Sequence, residues 1–160
     1  MLATTLPFYR RLRENGEGGP ASFWSEVAVL QATGSIGDAR RMVQVALRTS
    51  TDVADSVDCL GALGGMAADQ GRRAEGFRYD RMLAALSRRA DVSPALAGFI
   101  AFTRAQLAAR LGDTQGAVRL LEQARRTGHS DAAHYNVHRD PAFASLRDYP
   151  PFQRYIEPRD

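Results

Sequence analysis

Three segments of the chain carry one spaced pattern: Gly34, Ala39 and Ala46; Gly71, Gly76 and Leu83; Gly112, Ala117 and Ala124. A glycine is followed five positions on by a small residue and seven after that by an apolar one, and successive copies lie 37 and 41 residues apart. Repeats of this length belong to paired helices, which cannot bury their apolar faces alone and therefore stack. The glycine makes a tight turn between two helices, and the small residue lets the second helix lie against the first.

The hydrophobic periodicity agrees. Apolar residues recur at intervals of three and four, and no run of alternating β-branched residues between turn signals appears, so an all-α fold follows. The first amphipathic stretch, Leu6 to Glu14, is stopped by Asn15-Gly16, and residues 16–20 read as a loop. A second helix spans about Ala21 to Thr33, with Phe23, Val27 and Leu30 inward. A third follows Ser35, whose spacing to Asp38 suits a capping box, and carries the stripe Ala39, Met42, Val43, Ala46, Leu47. The fourth, about Val53 to Gln70, turns Val57, Leu60, Leu63, Gly64 and Ala67 to one side. It contains Gly61, Gly64 and Gly65, each costing about 1 kcal/mol against Ala, which points to close approach of a neighbouring helix.

The fifth helix, about Arg72 to Arg89, carries Gly76, Tyr79, Leu83 and Leu86 on one face. Ser93-Pro94 starts a sixth that runs to Leu111, and Asp113 or Thr114 caps a seventh that ends at Gly128. Beyond it the pattern breaks into short pieces begun by Asp140-Pro141 and Pro150-Pro151.

Composition narrows the class. At 160 residues, 44% apolar and 24% charged, the chain can bury one ordinary core. The single Cys59 excludes a disulfide scaffold or a zinc finger. The longest apolar stretch, Ala95 to Ala109, is interrupted by Thr103, Arg104 and Gln106, so no membrane span is expected. No signal peptide is read at the N-terminus, which favours a cytoplasmic location. All 21 basic residues are Arg, yet the excess over acids is three, too mild to imply nucleic acid.

The repeats resemble the tetratricopeptide family, whose pattern is W-x2-L-G-x2-Y, then A-x3-F, then A. Leu60-x2-Leu63-Gly64-x2-Ala67 matches its first-helix half with smaller side chains. Ala117-x3-Leu121-x2-Ala124 and Ala39-x3-Val43-x2-Ala46 match its second-helix half. Glu26 and Arg104 stand where the family has Leu, Asp80 replaces the second-helix aromatic, and the helix-ending Pro is missing. The tail His138-Arg139-Asp140-Pro141-Ala142-Phe143, with Leu146-Arg147 and Pro150-Pro151-Phe152, resembles the D-P-x-F-x-x-L-R-x-x-P-x-F segment that closes many bacterial tetratricopeptide regions. Such regions commonly follow kinase, cyclase or transcription-regulator domains.

The resemblance implies antiparallel helical hairpins stacked as a right-handed tetratricopeptide-like solenoid. The expected organisation is a single helical-repeat domain over residues 1–160: an N-terminal helix and loop (1–19), three hairpins (20–128) and a C-terminal cap (129–160). Phe143, Leu146, Phe152, Tyr155 and Ile156 would cover the last hairpin. The implied function is a protein-interaction or regulatory scaffold, not an enzyme, holding a peptide or another domain of the same longer chain in its concave groove. First helices line that groove in this class, so Glu26 and Arg104, with the lone Trp24, are the candidate contacts.

Other chemistries are weaker. His129, His134 and His138 could form a metal site if His134 and His138 shared a helical face, but no Cys or Glu lies at ligand spacing. Ser130, His134 and Asp140 offer a nucleophile, base and orienter only in composition. Cys59 reads as a packed hydrophobe. The glycine clusters at 16–19 and 61–65 lack the strand and Lys of a phosphate loop. No cofactor or metal is therefore expected. An Arg-lined surface for nucleic acid or another polyanion is the second reading, resting on Arg40, Arg41, Arg72 and Arg73 near helix N-termini, and a small enzyme or metal protein using the histidines is the third.

Overall fold

The computed structural model describes residues 7–8, 11–12, 15, 19–129 and 137–157. Every regular element among them is helical, and the chain divides into two compact units, residues 1–49 and 50–160. Of the expected first helix, Pro7–Phe8 and Arg11–Leu12 are helical, and the remainder lies outside the described residues.

The first unit contains α1 (Pro20–Ala32) and α2 (Ile36–Thr49), which pack against each other. Pro20 opens α1, where a missing N–H costs nothing and φ is already helical. Val27, Val29, Leu30, Ala39 and Val43 are buried.

The second unit contains α3 (Val53–Asp69), α4 (Arg73–Leu86), α5 (Pro94–Arg110), α6 (Thr114–Arg126), a 3-10 helix (Pro141–Leu146) and α7 (Pro150–Ile156). Three of the α-helices are started by side-chain caps. The Asp52 carboxylate accepts from the Ala54 and Asp55 amides, Ser93 Oγ accepts from Leu96 N–H, and Asp113 accepts from Gly116 N–H. α4 stops three residues short of the expected Arg89. There the Arg89 guanidinium turns to Asp91 at 2.9 and 2.6 Å, in a loop that leads to Pro94.

Four helix ends share one device. Gly34, Gly71, Gly112 and Gly128 have φ of 81, 71, 82 and 80°, a conformation that a Cβ opposes. At each, the glycine N–H donates three residues back and the next N–H donates five residues back, as Gly71 to Ala68 and Arg72 to Ala67. These are Schellman motifs, which satisfy carbonyls that a helix end leaves open. The first three sit in three-residue links, Thr33–Ser35, Gln70–Arg72 and Leu111–Asp113, that return each helix onto its predecessor.

Inside the second unit, α3 packs against both α4 and α5. The expected α3 stripe, Val57, Leu60, Leu63, Gly64 and Ala67, is buried throughout. Its glycines meet α5. A Cβ on Gly61 would lie 2.5 Å from Thr103 Cγ2, and one on Gly64 would lie 2.7 Å from Leu107 Cδ2 and 3.3 Å from Tyr79 Cβ. Gly76 plays the same part in α4, where a Cβ would come within 2.8 Å of Leu111. Beyond the stripe, Arg110 donates to both oxygens of Asp69, tying the end of α5 to α3.

The closing segment packs on α5 and α6. Phe143, Leu146, Phe152 and Tyr155 are buried with Ala105, Ala109, Leu121 and Val137, and Ile156 lies partly buried against them. Asp140 accepts from Ala142 N–H at the start of the 3-10 helix, while its other oxygen accepts from Gln106 Nε2 at 2.7 Å. Tyr155 Oη donates to the Leu121 carbonyl at 3.4 Å, beneath the Arg125 guanidinium.

Neighbouring glycines in α3 should respond with opposite signs. A Cβ at Gly65 would meet nothing closer than Arg110 Nε at 3.8 Å. Gly65→Ala is therefore expected to stabilise the fold by about 0.5–1 kcal/mol through helix propensity. Gly64→Ala must displace the fully buried Leu107 and is expected to destabilise it by about 1–2 kcal/mol. Urea denaturation of both variants checks this, and a shift of equal sign would contradict the close approach.

Candidate binding groove

α5 is seated by the glycine contacts with α3, and this orients Arg104 away from that helix, towards α4. There the guanidinium meets Asp80 side-on, Nε to Oδ1 at 2.8 Å and the terminal NH2 to Oδ2 at 3.1 Å. Both side chains are only about a quarter exposed. Paired N–H bonds of this kind are stronger than a single contact and fix the guanidinium plane. The two departures from the tetratricopeptide pattern at Arg104 and Asp80 are thus a single ion pair.

Arg104 also lines an open groove of about 530 Å³ with one face of α6. Arg119, Leu120, Gln123 and Arg126 recur there at three and four, opposite the buried Ala117, Leu121 and Ala124, and the buried Gly116 lines its floor. Arg119 and Arg126 form no ion pair among the described residues, whereas Asp113 is engaged as the helix cap. The groove therefore presents two unpaired guanidiniums, an immobilised third, and the Asp113 and Glu122 carboxylates. It can take a polar, elongated ligand through several hydrogen bonds, with Leu120 as its apolar element.

The first unit has a second groove of about 400 Å³, lined by Phe23, Arg41, Met42, Val45 and Ala46. Arg41 at its edge pairs with Asp38 in the preceding turn. Val45, outside the expected stripe, is 51% exposed.

Trp24 is half-buried and packs edge-on against Phe23, ring centroids 5.0 Å apart. Glu26 is buried at 1% exposure and engaged in a polar interaction. These two belong to the first unit and Arg104 to the second. His129 is stacked on Phe102 and Phe99, centroids 4.9 and 6.0 Å away, and His138 is exposed. Ser130 and His134 lie outside the described residues. Among the described residues no three His, Cys, Asp or Glu side chains gather as a metal site would require.

Cys59 is 3% exposed on α3, and burial, reinforced by Asp58 and Asp55, pushes its thiol up to about 11. The sequence had no signal for the groove arginines beyond Arg104. Arg126, in the last turn of α6, has a structural explanation in the helix dipole, and Arg119 stands out only once the buried face of α6 is known.

Two outcomes follow. In a double-mutant cycle by urea denaturation, Asp80→Ala and Arg104→Ala should show a coupling of about 1 kcal/mol. Additive effects would mean that the pair does not act as a unit. For Cys59, unfolding lowers the thiol from about 11 towards 9.0, so a proton is released between those values and stability falls as pH rises through them. Cys59→Ala should remove that part of the slope. At pH 8 the folded thiol should alkylate about a hundredfold more slowly than in denaturant, and equal rates would sink the assignment.

No family model, no curated protein and no solved structure matches the chain.

Proposed function

We propose that the chain is a tetratricopeptide-like binding module that holds a peptide, or a neighbouring domain, in a groove and carries out no catalytic step. In this reading the helix pairs form a right-handed solenoid and the D-P-x-F segment is its end cap. The observation that carries it is the open groove on α5 and α6, which combines Arg104, the candidate named from sequence, with two unpaired arginines. A cleft of this size, with a few polar groups aimed into it, suits a short segment of partner chain. Arg104 supports the reading further: its contact with Asp80 removes rotamer freedom that binding would otherwise have to remove. The resemblance of the closing segment to those of bacterial multidomain proteins favours a partner carried on the same polypeptide.

Panning the full chain against a displayed random-peptide library tests this. Enriched peptides should lose about tenfold or more in affinity to an Arg119→Glu/Arg126→Glu variant that melts like the parent. Failure to enrich any peptide, or equal binding to the variant, would overturn the reading. Heparin binding through the same arginines, with a steep salt dependence and no peptide enrichment, would move the function to polyanion recognition.

A further inference from the structure

α4 turns Gly76, Tyr79 and Leu83 inward and leaves its opposite face uncovered. That face has two adjacent ridges of exposed residues at four-residue spacing: Arg73, Phe77 and Arg81, then Ala74, Arg78 and Met82. Phe77 and Met82 are 39% and 41% exposed, half of the four large apolar side chains that stand exposed among the described residues. The Arg73 guanidinium lies 5.9 Å from the centre of the Phe77 ring.

The charge of this face is of one sign. Both acids of α4 turn elsewhere, Glu75 to Arg72 and Tyr79, and Asp80 to Arg104. Arg73, Arg78 and Arg81 pair with no acid among the described residues. No residue of α4 lines the groove on α5 and α6, so this surface is independent of the function proposed above.

Exposed Phe, Met and Arg together make the composition of a protein interface, not of a solvated helix. A second copy meeting this face about a two-fold axis would set arginine against arginine. A bilayer would need a continuous apolar stripe to insert, and here every ridge mixes arginine with its apolar residue. Nucleic acid phosphates would satisfy the arginines and leave Met82 uncovered. The groove between two i, i+4 ridges is the seat that one ridge of another helix fills. A helix alternating carboxylates with large apolar residues at the same spacing complements both features.

We propose that the exposed face of α4 docks an acidic amphipathic helix of a partner protein, with apolar side chains seated between Phe77 and Met82 and carboxylates on Arg73, Arg78 and Arg81.

The probe is a synthetic helical peptide with Glu and Leu alternating at four-residue spacing on one face, titrated calorimetrically into the full chain. Its controls are a Glu→Gln twin, a Leu→Ala twin, phosphatidylserine vesicles and polyuridine. Both twins should bind about tenfold more weakly or worse, and so should the Glu/Leu peptide to Arg78→Glu/Arg81→Glu and to Phe77→Ala/Met82→Ala. All the substituted residues are exposed, so both variants should keep the parent's circular dichroism and melting temperature. Absence of peptide binding, equal binding of the Gln twin, or indifference to both variants would overturn the proposal. Capture of the vesicles or polyuridine by the same arginines more tightly than the peptide would assign the face to lipid or to nucleic acid instead.

Discussion

The backbone of α5 comes so near α3 that Thr103 and Leu107 occupy the space where side chains of residues 61 and 64 would stand. This approach governs the second unit. It fixes the rotation of α5 about its axis, and with it the direction of every other side chain on that helix. Arg104 is sent to Asp80, Gln106 to Asp140, Phe102 to His129 and Phe143, and Arg110 to Asp69. A helix with bulkier residues at these positions would hold α5 farther away, and these contacts would lose their reach together. The glycines cost α3 helix propensity, and dense packing against α5 offsets the loss.

Local rules made much of this architecture legible in the sequence. Helix starts at Ser93 and Asp113, and ends at Gly34, Gly71, Gly112 and Gly128, depend on a few consecutive residues acting on their own backbone. Buried stripes such as Val57, Leu60, Leu63 and Ala67 follow from helical period alone. The glycines within α3 pointed to a close neighbour, yet they could not say which helix supplied it or that residue 65 would be spared.

Pairings across helices were the illegible part. Arg104 and Asp80 lie 24 residues apart, and in the sequence each stands alone as a departure from a family pattern. Their meeting depends on how α5 is rotated against α4, which no local signal encodes. Residues were also hard to classify by type. Glu26, a charged residue expected at a binding face, is buried, whereas Phe77 and Met82 stand in solvent. Hydrophobicity sorts the faces of a helix on average, and single residues depart from that average in both directions.

The order in which the core of the second unit is completed has a consequence for synthesis. Val137, Phe143, Leu146, Phe152 and Tyr155 pack against α5 and α6, and all come from the last part of the chain. A ribosome makes the chain from its N-terminus, so α5 and α6 emerge with an apolar face whose covering side chains do not yet exist. That face stays open until residues 137–155 have followed α6 out of the exit tunnel, an interval in which a chaperone can bind it without touching any contact of the finished fold.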